Sequence, residues 1–441
     1  MARPRPGTAA ALWLEAVDAE VVVLEAEQAC RLLYVGDDGD VYQSNFGSPT
    51  RKLTWGWNEL SSSDRLHYVW PAYSPDGSQI ACFGVRSGSV PEASLYTVAN
   101  DGIRMSELWR MTEAAAPVCE SWSPDSRSIA ILLQGKDELH LEVASVDRPG
   151  RTTLVDRGAP LFWSWSPRAS YLAVHTGGSS SIYEDARLSV FQVGGDAPIN
   201  QGAGASNRQG AGVPIRKLVE LTPGEFRTPT WSPDGSRLAY VDASDPAGEY
   251  LALYRLDDGS IDVMLQVHGQ TAMLWSPDGR TLALSQALGD SPHVYSGITL
   301  VDVETGDARI VDDTEIVSFF WTPCSKRLVT MAFDHEAGMC WTVIETHGCE
   351  KRRLGSNFYP SRELVYFSWF FDQFAVSHPP ISADGTRLVF AGHMGVEGGA
   401  PIASRAQSNV YVASLVDAGR VDRVASGHFA CWDARMRSAP S

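Results

Sequence analysis

Trp231-Ser232-Pro233-Asp234-Gly235 recurs unchanged as Trp275-Ser276-Pro277-Asp278-Gly279. Proline presets φ for a tight turn, aspartate bonds back to the backbone, and glycine tolerates positive φ, so each copy predicts a β-turn. The aromatic residue before the turn and the apolar run after it, such as residues 238–241, indicate a β-hairpin. Degraded copies of the same unit begin at Tyr73, Trp122, Trp165, Trp321 and Ile381.

The spacing of the seven copies indicates the architecture. They begin at positions 73, 122, 165, 231, 275, 321 and 381, so the basic period lies in the mid-forties and is lengthened by insertions. This period matches the roughly 40–50 residues of a four-stranded propeller blade. The sequence therefore predicts an all-β protein, a β-propeller of four-stranded antiparallel blades. We expect a single propeller domain over residues 30–434, an N-terminal arm over residues 1–29 and a tail over residues 435–441.

The two ends of the repeat region are predicted to form one blade together. Residues 30–35, 40–44 and 51–54 read as the second, third and fourth strands of a blade that lacks its first strand. Residues 427–434 resemble the start of a further repeat. A split blade made from residues 30–56 and 427–434 gives eight blades, with the ring closed by the C-terminal strand. Seven blades, with the N-terminal hairpin as a cap, is the alternative.

Composition narrows the class of partner. The net charge is −17, with 53 acidic against 36 basic residues, which argues against nucleic acid and against an anionic membrane surface. No apolar run is long enough to span a membrane. The seven cysteines show no Cys-x-x-Cys spacing, which favours a reducing, cytoplasmic location. A short apolar stretch after Arg3 and Arg5 leaves export as the alternative. We expect a monomer without a cofactor.

The Trp-Ser-Pro-Asp-Gly repeats resemble the PD40 repeats of TolB-like, WD40-like β-propellers over nearly the whole chain. They are also similar to the propeller domains of the prolyl oligopeptidase and dipeptidyl peptidase family, in which eight blades occur. The chain departs from those peptidases because it has no Gly-x-Ser-x-Gly motif and no α/β segment to carry one. It departs from TolB in lacking a convincing export signal and a separate N-terminal α/β domain.

The resemblance also orients the loops. In this blade type the first-to-second and third-to-fourth turns lie on one face, and the remaining loops and blade connections lie on the other. Long insertions at 55–69, 84–94, 177–187, 286–297, 355–378 and 391–408 belong to the second face. Only the segment 194–213 belongs to the first. Loops on a rigid scaffold carry function, so we expect binding on the loop-rich face.

Thirteen residues of that face are the candidate partner- or ligand-binding residues: Trp55, Trp57, His67, Tyr183, Glu184, His293, Tyr295, Tyr366, Trp369, Phe370, Asp372, His378 and His393. Several come from the richest insertion, which carries eight Phe, Tyr or Trp residues between positions 358 and 374. Two interpretations of that insertion stay open. It is a short helix that packs on the ring and plugs the channel, or it is an exposed patch for a partner.

We expect a non-catalytic propeller scaffold that binds a protein or peptide partner. The enzymatic alternative is a lyase or hydrolase in which His67, His293, His378 and His393 converge on the channel mouth with Asp372 or Glu184. No pair has metal-ligand spacing such as His-x-x-x-His, so the sequence predicts no metal site and no catalytic residue. A further alternative is a peptidase-type propeller that works beside a hydrolase on a separate chain.

Overall fold

The computed structural model describes residues 31–45, 49–56, 66–86, 91–111, 116–168, 170–178, 186–194, 212–224, 227–289, 291–334, 338–394, 408–417 and 419–433. The predicted N-terminal arm and C-terminal tail lie outside these ranges. The described residues form antiparallel β-strands and two short helices. The first strands are β1 (Arg31–Gly36), β2 (Val41–Asn45) and β3 (Arg51–Lys52).

Five four-stranded sheets follow, each with its strands side by side in chain order. Sheet 1 contains β4 (Leu66–Tyr73), β5 (Gln79–Arg86), β6 (Glu92–Ala99) and β7 (Met105–Arg110). Sheet 2 contains β8 (Ala116–Trp122), β9 (Ser128–Gln134), β10 (Leu139–Ser145) and β11 (Thr152–Gly158). Sheet 3 contains β12 (Leu161–Trp165), β13 (Tyr171–Thr176), β14 (Arg187–Val193) and β15 (Ile215–Leu221).

Sheet 4 contains β16 (Thr230–Trp231), β17 (Arg237–Asp242), β18 (Glu249–Arg255) and β19 (Ile261–Val267). Sheet 5 contains β20 (Thr271–Trp275), β21 (Thr281–Leu288), β22 (Ser291–Asp302) and β23 (Ala308–Ile316). These five sheets are consistent with propeller blades, as the repeat predicted.

The remaining strands form one ten-stranded sheet with β1, β2 and β3 at its end. They are β24 (Ser318–Trp321), β25 (Arg327–Phe333), β26 (Met339–Glu345), β27 (Lys351–Pro360), β28 (Arg387–Met394), β29 (Asn409–Ser414) and β30 (Val421–Trp432). Strand β30 pairs with β29 through its first half and with β1 through its second half. The N-terminal and C-terminal strands therefore pair, as the split-blade hypothesis expected. Helices α1 (Arg362–Trp369) and α2 (Phe371–Phe374) lie between β27 and β28. In the described part of the chain, no helix has the length and apolarity needed to cross a membrane.

The repeat turn has the chemistry that the sequence predicted. In one copy, Ser232 Oγ donates to Asp234 Oδ1 at 2.5 Å, and the same carboxylate accepts from the backbone N–H of Ser236 at 3.0 Å. Gly235 has φ of 73°. Burial alone would raise the pKa of Asp234, but these hydrogen bonds outweigh it and hold the pKa below its usual value. The copies at Ser74, Ser123, Ser276 and Ser382 repeat the serine-to-aspartate bond.

Three predicted insertions are shorter than expected. In the predicted loop 84–94, β5 runs to Arg86 and β6 starts at Glu92, and these two residues pair. The predicted loop 286–297 is mostly strand, because β21 runs to Leu288 and β22 starts at Ser291, and Ala287 pairs with Tyr295. In the predicted connection 355–378, β27 continues to Pro360 and pairs with β28, and α1 and α2 follow. The extension of β27 depends on β28, a partner strand that follows both helices in the sequence. Most of the segments 177–187, 194–213 and 391–408 lies outside the described residues.

The repeat tryptophans tie neighbouring sheets together. Each indole N–H donates to a main-chain carbonyl of the preceding sheet's first strand, one residue before that sheet's own repeat aromatic. The pairs are Trp122 to Ala72 (3.3 Å), Trp231 to Ser164 (3.2 Å), Trp275 to Thr230 (3.0 Å) and Trp321 to Leu274 (3.0 Å). Trp165 is the exception, since its buried Nε1 has no hydrogen-bond partner among the described residues.

Successive repeat turns also touch one another, so they lie on one face. A Cβ atom added to Gly279 would lie 3.5 Å from Pro233, and one added to Gly385 would lie 3.2 Å from Pro323. We call the face formed by residues 74–78, 123–127, 232–236, 276–280, 322–326 and 382–386 the turn face. The opposite ends of the strands form the loop face.

Replacing Trp231 with phenylalanine tests the indole bond. Trp231→Phe leaves the Ser164 carbonyl without its donor, so it should cost about 1 kcal/mol more in unfolding free energy than the loss of ring volume alone. Trp165→Phe is the matched control because its indole N–H makes no such bond. Urea unfolding of both variants measures the difference, and equal losses would contradict the assignment.

The ends of the chain share a buried ion pair. Arg31 Nη2 lies 2.5 Å from Asp433 Oδ2, both side chains are buried, and the Asp433 backbone N–H donates to the Arg31 carbonyl at 3.0 Å. Burial raises the pKa of Asp433 to about 6, although the Arg31 charge opposes the rise. The carboxylate is therefore mostly ionised at neutral pH and depends on Arg31 for its partner.

Removing that partner should be costly. Arg31→Met leaves a buried carboxylate without its cation and should lower the unfolding free energy at pH 7 by about 3–5 kcal/mol. Arg110→Met, which breaks the exposed pair with Glu107, should have a much smaller effect, because solvent screens that pair. Chemical denaturation compares the two. Similar small losses would show that the terminal pair does not stabilise the fold.

Candidate functional site

The segment that carries α1 and α2, residues 361–378, is the structural centre of the site, and we call it the axial segment. Ser361 caps α1 by accepting from the Leu364 N–H, and its hydroxyl donates to the His428 carbonyl at 2.6 Å. Phe367, Phe371 and Phe374 are buried. The aromatic face of the insertion is therefore packed against the protein, which favours the plug interpretation, while Trp369 remains 39% exposed.

The axial segment contacts the first strands of separate sheets. Phe374 stacks on Trp70 of β4 with ring centroids 5.2 Å apart, and Phe370 lies 6.2 Å from Phe162 of β12. Phe371 packs edge-on to Phe319 of β24 at 4.9 Å. The segment thus lies where these first strands converge, at their ends on the loop face.

One side chain of α2 bonds to the main chain of a first strand. Gln373 Nε2 donates to the Trp163 carbonyl at 2.8 Å, and Gln373 Oε1 accepts from the Trp163 N–H at 3.0 Å. The first strand of a sheet has an open edge whose N–H and C=O groups need partners. The glutamine amide supplies both at this residue.

A buried cation faces the same helix. Arg227 Nη2 donates to the Tyr295 hydroxyl, and the guanidinium carbon lies 5.2 Å from the Tyr295 ring centroid. Arg227 Nη1 donates to the Trp369 carbonyl at 3.4 Å and lies 3.7 Å from Asp372 Oδ1. Arg227, Tyr295 and Asp372 are all buried. Burial raises the pKa of Tyr295 above its usual value although Arg227 opposes the rise, so its hydroxyl stays neutral.

A small cavity adjoins Arg227. Its volume is about 10 Å³, room for one water molecule, and His175 and Thr228 line it beside Arg227. His175 Nδ1 lies 3.1 Å from the Arg227 carbonyl, which only accepts, so Nδ1 carries the proton and Nε2 offers a lone pair. Burial lowers the pKa of His175 to about 4, so the ring is neutral near pH 7. His175 Nε2 and Thr228 Oγ1 have no hydrogen-bond partner among the described residues.

Two predicted histidines lie in different places: His293 packs against the axial segment, and His378 is its last residue. His293 stacks on Trp369 with ring centroids 4.6 Å apart, and burial lowers its pKa. His378 is buried among Trp70, Phe374 and Phe429, and burial lowers its pKa to about 4. Trp70 has φ of 53°, a strained conformation for a non-glycine residue that these ring contacts hold in place.

Of the other candidate residues, Trp55, His67 and His393 lie outside the axial segment, and Tyr366 lies in α1. Trp55 is 63% exposed after β3, and His67 in β4 lies beside Gly39. His393 in β28 pairs with Tyr359 and lies 3.3 Å from Ser408 Oγ. Tyr366 is half-buried against Trp70 and Phe370. The candidate residues Trp57, Tyr183 and Glu184 lie outside the described residues.

The four histidines of the enzymatic alternative therefore occupy four separate environments. Within the ranges that the structure describes, no three His, Cys, Asp or Glu side chains are grouped to hold a metal ion. Tyr295, Asp372 and His378 are buried in this conformation, so they do not contribute to the exposed surface of the loop face. The residues brought together are His293, Tyr295, Trp369, Phe370 and Asp372.

Two buried ionisable residues, Arg227 and Glu120, were missed by sequence reasoning, and a signal for both was present. Four residues before the repeat aromatic, six copies carry Val69, Val118, Leu161, Thr271, Val317 and Ser377, whereas the seventh carries Arg227. Two residues before it, Glu120 is likewise the one charged residue among the seven copies. Superposing the repeats by their aromatic residue singles out both.

Glu120 is a fully buried carboxyl group on β8. Neither of its oxygens has a hydrogen-bond partner within the described residues. Burial raises the pKa of Glu120 well above its usual value, because a buried site without hydrogen-bond donors disfavours the charged form. The nearby thiols of Cys82, Cys119 and Cys431 are also buried, and their pKa values are raised by burial and by Glu120.

Comparisons with known proteins bear on the fold. No family model matches the chain, and no curated protein sequence matches significantly. Among solved structures the chain is similar to the dihydro-heme d1 dehydrogenase NirN in complex with DHE. The identity is 13%, the match covers 92% of this chain and 76% of that chain, and the TM-score is 0.52.

Two further solved structures are similar at lower TM-scores. A eukaryotic initiation factor is 11% identical over 93% of this chain and 100% of that chain, with a TM-score of 0.49. TolB from Acinetobacter baumannii is 15% identical over 66% of this chain and 63% of that chain, with a TM-score of 0.37. The likeness to NirN shows a shared fold alone and, with the stacked antiparallel sheets, supports a β-propeller.

Glu120 should give the protein a measurable pH dependence. Its folded-state pKa is raised, so its contribution to stability is present below about pH 4.3, the unfolded value, and is lost as the pH rises. Glu120→Gln should match the wild type near pH 4.5 and exceed its unfolding free energy at pH 8. Urea unfolding across that range measures the difference, with the exposed Glu315→Gln as control.

Comparing the two proteins isolates Glu120 from an opposite contribution. The pKa values of His175 and His378 are lowered, so their contribution to stability is lost as the pH falls through about 6.5 towards 4. Glu120→Gln retains both histidines, so the variant and the wild type lose the same histidine contribution to stability as the pH falls. A Glu120→Gln variant that is less stable than the wild type at pH 8 would contradict the assignment of a buried neutral acid.

Proposed function

We propose that this protein is an eight-bladed β-propeller scaffold that binds a protein or peptide partner on its loop face. Sheets 1 to 5 supply five blades, and the ten-stranded sheet divides into three. Strands β24 to β27 form the sixth blade. Ile381, which bridges to Leu388, leads the seventh, with β28, β29 and the first half of β30. The second half of β30 begins the eighth, with β1, β2 and β3.

Contacts between the split blade and sheet 1 support a closed ring. The Cys431 thiol donates to the Pro71 carbonyl at 3.3 Å, and Gln43 Nε2 donates to the Tyr73 hydroxyl at 2.8 Å. Both contacts join the last blade to the first. Such closure removes the exposed strand edges that otherwise invite aggregation.

The observation that carries the binding proposal is the position of the exposed aromatic residues. In the described part of the chain, the large aromatic side chains exposed to solvent are Trp55 (63%), Phe333 (53%) and Trp369 (39%). Trp55 follows a fourth strand, Phe333 ends a second strand, and Trp369 lies in a blade connection. All three therefore belong to the loop face. Exposed aromatic residues are the side chains that most often anchor protein interfaces.

Charge and thiol chemistry support the class of partner and the compartment. The net charge of −17 disfavours nucleic acid, which needs clustered basic residues. Cys82, Cys119 and Cys431 are buried free thiols, which fits a reducing, cytoplasmic location. We propose a monomeric scaffold whose partner is a protein or a peptide.

Affinity capture from the source cells tests this function. The tagged full-length double variant Trp55→Ser/Phe333→Ser should lose its specific partner by about tenfold or more, because exposed aromatic anchors carry much of the binding energy. Quantitative mass spectrometry compares it with the wild type.

The matched control lies on the turn face. Ile103 and Val416 are exposed apolar residues in third-to-fourth turns, so Ile103→Ser/Val416→Ser should leave capture unchanged. Loss of the partner in the turn-face variant, with retention in the loop-face variant, would refute the proposal.

A further inference from the structure

We propose that Arg227 and Tyr295 form a carboxylate-recognition site that Asp372 occupies in cis, and that an acidic, aromatic peptide binds there when α2 lifts away. The inference rests on the proposed partner-binding function and names the chemistry of the partner. The axial segment then acts as a tethered substitute for that peptide.

Arg227 is a receptor suited to a carboxylate. Its guanidinium is planar and presents paired N–H donors, the geometry that matches two carboxylate oxygens. Tyr295 holds it from one side through the hydroxyl and the ring. Arg227 is also the one charged residue at its position in the seven repeats, so the framework of the fold does not require it.

Asp372 fills this site imperfectly. Its nearer oxygen lies 3.7 Å from Arg227 Nη1, beyond hydrogen-bond distance, and neither oxygen accepts a hydrogen bond from any described residue. A buried carboxylate without hydrogen bonds is costly. A carboxylate that is free to approach the guanidinium would form the bonds that Asp372 does not.

The surroundings have room and unsatisfied groups for such a ligand. The cavity beside Arg227 is lined by Thr228 Oγ1 and His175 Nε2, both buried and without a hydrogen-bond partner in the described chain. The threonine hydroxyl can donate to a carboxylate oxygen. The histidine lone pair can accept from a water molecule that the ligand retains.

The two helices of the axial segment differ in how well their N-termini are capped. Helix α1 is capped by Ser361, whereas α2 has only four residues and its cap residue, Phe370, makes no side-chain hydrogen bond to it. Bonds from Gln373 to the Trp163 N–H and C=O are those that an extended peptide backbone would make to the same strand edge.

The buried rings define the rest of the ligand. Lifting α2 exposes Phe371 and Phe374, and the burial of these two rings stabilises the closed arrangement. A ligand must replace that burial. We therefore expect a short peptide with aromatic residues on both sides of an aspartate or glutamate.

Fluorescence anisotropy with a labelled peptide that copies residues 366–376 tests the proposal. The full-length Asp372→Asn protein vacates the carboxylate position and should bind the peptide about tenfold more tightly than the wild type, because the tethered competitor is weakened. Arg227→Gln added to that protein should abolish the gain. A peptide with asparagine in place of its aspartate should bind equally weakly to all three proteins.

Controls separate this proposal from the general function. Glu363→Gln, which removes a carboxylate of α1, should leave peptide affinity at the wild-type value. Ile103→Ser/Val416→Ser, on the turn face, should also leave it unchanged. Equal peptide affinity in the wild type and Asp372→Asn would overturn the proposal while leaving loop-face binding intact.

Hydrogen exchange on the wild type gives a second readout that needs no substitution. Excess peptide should speed deuterium uptake in residues 371–378 and leave residues 362–369 unchanged, because α2 lifts while α1 stays docked. Uptake that is unaffected at saturating peptide would overturn the proposal, even where Asp372→Asn fails to fold.

Discussion

The hydrogen bond from a repeat tryptophan to the previous sheet is the interaction on which this architecture depends. A sheet can pack on its neighbour in many registers if only apolar surfaces meet. The bond from Trp231 Nε1 to the Ser164 carbonyl, repeated by Trp275 and Trp321, selects one register. Each acceptor carbonyl lies one residue before the repeat aromatic of its own sheet. Neighbouring sheets therefore keep the same relative register, and this brings the repeat turns onto one face.

That regular framework makes its two irregular features informative. Arg227 and Glu120 place charge or a buried acid at repeat positions where the other copies carry uncharged side chains. Neither helps a sheet pack, since burying an ionisable group costs free energy unless it is paired. Arg227 meets Asp372 and Tyr295, and the axial segment covers it. The rigid sheets thus hold a cation where the first strands converge, and a short, weakly capped helix closes over it.

The sequence predicted the hairpins well because their determinants are local. Within five residues, Ser232, Asp234 and Gly235 contain the turn's hydrogen bonds and its positive φ. The same reasoning failed at residues 286–297, which were predicted to be a long loop between the second and third strands of a blade. There the strand extends because Ala287 finds Tyr295 across the hairpin and Tyr295 is buried against Arg227 and Phe371. No local sequence pattern contains Arg227 or Phe371.

The sequence by itself determined the repeat and the strand class, since both follow from short-range turn chemistry and a basic period in the mid-forties. It predicted the turn face through the resemblance to PD40 blades, and it predicted the pairing of β30 with β1 as part of a split blade, with a seven-bladed ring as the alternative. Only the tertiary structure decided what the aromatic insertion does. Eight aromatic residues are equally compatible with an exposed patch and with a buried plug. Hydrophobicity predicts that these side chains will be removed from water, but it does not identify the surface that covers them. The answer came from contacts with Trp70, Trp163 and Phe319, which lie 52 to 304 positions away from their partners in the axial segment.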